Sequence, residues 1–210
     1  TGPHQFSGSG RYLTLNKSHP LADQMPIDTI HLKEYIAAVD ILQAFEDSYI
    51  DIAINDPNGL SSLGYSSTNI IKYIDTSSLH YLGYNTYSRV FGQVGMRAMM
   101  TYAIDRAAIV SEVMKGAGTA TTVPIHPQSP LYPTEYAQSL ECSDEAFRLA
   151  MDQNAIADVD GDGILEIQGQ PYTINFVTCS DSGVKVSSAR AIAKRLQDYG
   201  FDVNLRELSY

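Results

Sequence analysis

The chain has 210 residues, with 14 Lys and Arg against 24 Asp and Glu, a formal net charge of −10 with its five His neutral, two Cys and no Trp. That acidity argues against an electrostatic grip on nucleic acid or anionic lipid, because phosphate contacts need clustered Lys and Arg, and no run approaches the roughly 20 apolar residues of a membrane span. With 44% hydrophobic and 18% charged residues, the chain has the apolar surface for one large or two small domains, which argues against wholesale disorder.

The start, Thr1-Gly2-Pro3-His4-Gln5-Phe6, has neither a Met nor a charged region leading into an apolar run, so it reads as a cut start without a leader. Gln5-Phe6 and Arg11 to Leu15 flank a Gly- and Ser-rich turn, the pattern of a hairpin. Alternation from Ile27 to Tyr35 predicts a strand. Ala38, Ile41, Leu42 and Phe45 share one face of a predicted helix, and Ile50 to Ala53 alternates as a strand ended by the turn Asp56-Pro57-Asn58-Gly59.

The Tyr-rich run Leu79 to Asn85 predicts another strand, and Val94 to Met114 a helix that Gly116 and Gly118 stop. Pro124, Pro127, Pro130 and Pro133 predict an extended surface stretch and the best boundary in the chain. A helix from about Asp144 to Gln153, a turn at Asp158 to Gly163 and a strand from Tyr172 to Thr178 follow. A helix from about Ser187 to Tyr199 is then capped by Gly200, and a strand from Phe201 to Leu208 completes a βαβ unit.

Asp158-Val159-Asp160-Gly161-Asp162-Gly163 has the alternating carboxylates and sixth-place Gly of a calcium loop, with Glu166 at the ninth place. Gly169 stands at the twelfth, where a bidentate Glu belongs, and a polar turn uses the same residues. Asp158, Asp160, Asp162 and Glu166 are therefore the candidate metal ligands. A calcium-stabilised interaction module is one function they allow, with no cofactor required otherwise.

Gly64-Tyr65-Ser66-Ser67-Thr68 has the spacing of a nucleophile elbow, with Thr68 in the second Gly place. A hydrolase using Ser66 is thus an alternative, although none of the His residues sits in a telling context and a Ser-rich loop explains the run. Arg97, Asp105 and Arg106 lie on the predicted helix, where Arg97 and Asp105, about two turns apart, can share a face; an Asp-Arg pair there could be catalytic, but a partly buried ion pair is the commoner arrangement and the one expected. Cys142 and Cys179 are too few for a zinc motif and read as isolated buried thiols, one bond between them remaining geometrically open.

The order of these segments resembles the family 5 extracellular solute-binding proteins, the oligopeptide, dipeptide and nickel receptors of ABC importers. Thr1 to Phe6 resembles the family's Gly-Thr-Gly-Pro-Tyr-x-Phe signature with His4 for Tyr. Leu42 to Ala53 resembles its helix and Gly-x-Ile-Asp strand, with Ser48 for Gly. Gly83-Tyr84-Asn85-Thr86, then Arg97-Ala98 and Ala103-Ile104-Asp105-Arg106, follow its Asn-Thr, Arg-x-Ala and Ala-Ile-Asp-Arg series in order.

The resemblance implies an α/β chain, part of a two-lobed periplasmic-binding-protein-like fold of the peptide-binding type with mixed sheets flanked by helices. Residues 1–115 would belong to one lobe and 116–210 to the other, as the middle of such a receptor. It also implies peptide binding without a chemical step, nickel complexes or oligosaccharides being the alternatives. The implied partners are ABC permease subunits, the implied place is extracytoplasmic as a lipoprotein or in the periplasm, and Tyr84 and Asn85 are the implied cleft residues. Strand edges left uncovered in such a segment predict self-association.

Overall fold

The computed structural model describes residues 2–8, 10–54, 70, 72, 74, 76 and 78–209. They fall into two compact units, one built from residues up to Ile54 and one from the described residues after it. No helix among the described residues is long and apolar enough to cross a membrane.

In the first unit the predicted hairpin forms. Strands β1 (His4–Phe6), β2 (Tyr12–Leu15) and β3 (Thr29–His31) make an antiparallel sheet in the order β1-β2-β3. Phe6 lies opposite Leu13, and Leu13 opposite Ile30. Helix α1 (Ala38–Glu46) follows as its apolar spacing predicts. The strand expected over Ile50 to Ala53 does not form; Ile52 and Ile54 are 77% and 89% exposed. A strand needs a ladder partner, and none lies beside it among the described residues.

The end of α1 carries a mark of strain. Ser48 N–H donates to the Phe45 carbonyl and Tyr49 N–H to the Ala44 carbonyl, the paired bonds of a glycine-type helix stop. Ser48 takes φ +60° to make them, a conformation that costs a residue with a Cβ about 1 kcal/mol. Ser48→Gly is expected to stabilise this helix end by about that amount, read as slower amide exchange at Tyr49; unchanged exchange would refute it.

The second unit takes in the described residues after Ile54. Helix α2 (Val94–Ala103) packs on α5 (Asp144–Gln153) and shares its core with strand β6 (Ile174–Cys179), helix α6 (Gly183–Asp198) and strand β7 (Val203–Leu208). Met96, Met99, Met100 and Ala103 are buried along one face of α2. Gly95 admits a close neighbour there, since a Cβ on it would lie 2.7 Å from Asn154 Oδ1.

The helix predicted from Val94 to Met114 is broken. Ile104 is extended, and Asp105 caps a new start by accepting from Ala108 N–H at 2.8 Å. Helix α3 (Arg106–Ala108) runs into a π-turn over Ile109–Val113, and Gly116, at φ +82°, closes it. The expected ion pair on a shared face is corrected accordingly. Asp105 is committed to the cap, and Arg97 donates to the carbonyls of Phe91 and Gly92 at 2.7 and 3.0 Å.

Leu79 to Asn85, expected as a strand, has no regular structure, and the Pro-rich stretch is a series of turns rather than an extended run. It leads into a short helix α4 (Thr134–Ser139). Helix α5 forms where its periodicity and first-turn acids place it, with Ser143 Oγ accepting from Ala146 N–H. Strands β4 (Ile156–Ala157) and β5 (Glu166–Ile167) pair antiparallel around the Asp-rich turn.

The βαβ unit is as predicted, β6 and β7 running parallel from Ile174 opposite Val203 to Cys179 opposite Leu208. Gly200 at φ +98° stops α6, with Phe201 N–H bonded to the Leu196 carbonyl and both side chains buried.

Candidate functional site

Tyr84 and Asn85 open a turn that carries more recognition chemistry than its sequence suggests. Asn85 Oδ1 accepts from Tyr87 N–H at 3.0 Å, and Asn85's carbonyl accepts from Ser88 N–H at 3.1 Å. Ser88 Oγ then accepts from Val90 and Phe91 N–H at 3.2 and 3.3 Å and lies 2.9 Å from Tyr172 Oη. The turn is thereby tied to a residue 84 positions further on.

The Tyr84 ring lies tilted against Phe91 with centroids 5.2 Å apart, and the Phe91 ring meets Tyr172 edge-on at 6.4 Å. Arg89 lies over the Tyr172 ring at 5.6 Å. Asn85 and Arg89 are exposed, while Tyr84 is half-buried against the core. Phenols, an amide, a hydroxyl and a guanidinium on one turn suit holding a solute by hydrogen bonds and stacking. Ser88, Arg89 and Tyr172 were not readable as a group, because β-propensity placed the Tyr-rich run in a strand.

Burial pushes the Tyr84 phenol from 10.0 up to about 12, with Arg106 opposing the shift. The folded chain therefore keeps a proton that the unfolded chain releases above pH 10. The stability this contributes is present below pH 10 and is lost as pH rises toward 12, an amount of about 2–3 kcal/mol from the shift. Tyr84→Phe is expected to flatten that alkaline loss in denaturant titrations compared across this window; an unchanged loss would contradict the assignment.

At the Asp-rich turn, carboxylate oxygens of Asp158, Asp160 and Glu166 lie within 4.8 Å of one another. Asp162 is not among them; its Oδ1 accepts from Ile164 N–H at 2.7 Å. The turn closes on its own donors. Asp158 accepts from Gly161 and Gly163 N–H at 2.7 and 3.0 Å, Asp160 from Asp162 N–H at 3.1 Å, and the buried Glu166 from Val159 N–H at 2.7 Å. Gly161 and Gly163, at φ +81° and +89°, supply the left-handed backbone this requires. Ser66 lies outside the described residues, and Cys142 and Cys179 are free thiols.

Residues 1–210 match the family model described as bacterial extracellular solute-binding proteins, family 5 Middle. The chain is 25% identical to the oligopeptide-binding protein AppA of Bacillus subtilis (strain 168), over 97% of this chain and 38% of that protein. The solved structure of Bacillus subtilis AppA in complex with a nonapeptide superposes with a TM-score of 0.61 at 24% identity, over 99% of this chain and 42% of that one. The nickel ABC transporter structure from Bacillus halodurans superposes with a TM-score of 0.75 at 18% identity, over 100% of this chain and 44% of that one. The chain thus spans about two-fifths of the length of these relatives and has the α/β fold of their corresponding part. It belongs to the bacterial extracellular solute-binding proteins, family 5.

Proposed function

We propose that the whole receptor to which this segment belongs binds peptides outside the cytoplasm and delivers them to the permease subunits of an ABC importer, with no chemical step. The observation that carries the peptide reading is the match to the oligopeptide-binding protein AppA along nearly the whole chain. The turn from Tyr84 to Phe91, with Tyr172 against it, supports it, since its polar groups lie beside aromatic rings and suit a chain of repeated donors and acceptors.

In this reading the unit ending at Ile54 belongs to one lobe, and the unit built on α2, α5 and the βαβ fold to the other. Peptide favours the closed arrangement only by contacting both lobes, since a ligand shifts an equilibrium by its differential affinity for the two states. A lipid anchor would keep such a receptor at the cell surface near its permease.

The test is ligand-induced stabilisation of the whole receptor. A mixture of short peptides is expected to raise its Tm, because a ligand bound only by the native state stabilises it by mass action. Nickel–histidine or an oligosaccharide mixture raising it in the peptides' place would overturn the peptide assignment.

A further inference from the structure

A second feature of the unit containing α2 borders the Tyr84 turn through Arg106, the guanidinium that acts on the Tyr84 phenol. A cavity of about 600 Å³ opens between the α2–α3 junction, the 120–122 and 132–142 segments and Arg195 on α6. That is the size of a small-molecule site. Its walls carry two guanidiniums in different situations.

Arg195 has both edge nitrogens engaged, its Nε donating to the Ala103 carbonyl at 2.6 Å and its Nη2 to Asp144 at 2.8 Å and to Cys142 Sγ and Tyr199 Oη at 3.2 Å each. Arg106 is half-buried and donates only from Nη1, to the carbonyls of Thr101 and Ile104 at 3.0 and 3.2 Å. Among the described residues its Nε and Nη2 have no partner and it has no ion pair. Those are the two nitrogens with which Arg190 grips Glu207, at 2.7 and 3.0 Å. A partly desolvated guanidinium with its fork open calls for a carboxylate.

The other acids on the wall do not fill that place. Asp105 caps Ala108, Asp144 serves Arg195 and Tyr199, and Glu141 is exposed. With three carboxylates against two guanidiniums on this wall, they disfavour a doubly charged anion such as phosphate more than a singly charged one. The wall's hydroxyls are bound within the chain, Thr121 donating to the Val123 carbonyl at 2.8 Å and lying 3.3 Å from Tyr132 Oη, so the charge on Arg106 is left to hold a ligand.

We infer that this cavity is a binding site for a monocarboxylate, held by the Nε–Nη2 edge of Arg106. The carboxylate is either that of a small free acid or the C-terminus of a peptide. Cys142 lines the same cavity and reports its occupancy.

In a Cys179→Ser background, where Cys142 is the single thiol of these 210 residues, its alkylation by N-ethylmaleimide is followed with added N-acetylglycine, tri-alanine or tri-alanine amide. Only the unoccupied fraction reacts, so a bound acid at about ten times its Kd slows the reaction about tenfold. Protection by N-acetylglycine identifies a small-acid site, and protection by tri-alanine alone a peptide C-terminus. No protection by either acid, or equal protection by the amide, overturns the proposal.

Arg106→Lys keeps the charge and loses the fork, and is expected to weaken protection about tenfold; undiminished protection overturns the proposal. Should that variant fail to fold, Glu141→Gln on the exposed rim decides. Removing its repulsion lowers the half-protecting concentration, and an unchanged or higher value counts against the site.

Discussion

Phe147→Ala is expected to cost the second unit about 3–5 kcal/mol, the range for emptying an aromatic position in a packed core. Phe147 is 0% exposed. Its ring centroid lies 4.5 Å from that of Tyr199 and 6.1 Å from that of Phe201. It therefore fastens α5 to the end of α6 and the start of β7, and neither neighbour can collapse into the void without undoing the helix stop at Gly200. Urea denaturation followed by far-UV circular dichroism reads the loss. A change below about 1 kcal/mol, typical of surface substitutions, would show that this core is not the one described. Phe147→Leu retains most of the buried volume and is expected to lose less than half as much.

Arg195→Met is expected to cost about 2–3 kcal/mol, chiefly through one carbonyl. Arg195 Nε donates at 2.6 Å to the Ala103 carbonyl at the end of α2, and Ala103 is 1% exposed. Removing the donor leaves a buried acceptor unsatisfied, a loss of about 1–3 kcal/mol. The ion pair with Asp144 adds little, because its side chains are 33% and 66% exposed.

The two contributions separate experimentally. Asp144→Asn is expected to remove only a small ion-pair contribution that fades in high salt, whereas the Arg195→Met loss persists there. The carboxyl of Asp144 is held below the usual carboxylate range, first by the Tyr199 hydroxyl donating to it. Its contribution is thus present near neutral pH and disappears as pH falls through its lowered pKa. An Arg195→Met loss that vanished in salt would assign the residue to surface electrostatics instead.

Much of the second unit could be read from local signals. Ser143 before Asp144, and Gly200 after the apolar period of α6, mark helix ends by chemistry that acts within a few residues, so α5 and the βαβ unit formed where expected. Asp105 was the exception. Its apolar neighbours continue the helical period, and only the structure shows that its carboxylate caps Ala108 and breaks the helix at Ile104.

The segments at Ile50 to Ala53 and Leu79 to Asn85 were misread for a related reason. A β-prone run becomes a strand only beside another strand, and composition does not supply one. The site was less legible still. Tyr84 and Asn85 came from resemblance to a family, whereas Ser88, Arg89 and Tyr172 join them through contacts spanning more than eighty residues. Arg195, which reaches Ala103 across 92 positions, had no local signal beyond Tyr199 four residues later.

Native mass spectrometry of the whole receptor, purified without denaturation, shows whether it carries peptide. Bound masses that resolve on denaturation into short peptides are expected, because a peptide receptor releases its solute only when its lobes open. Carriage of a nickel complex or a sugar instead, or a bare protein mass that no added peptide shifts, would contradict the peptide assignment.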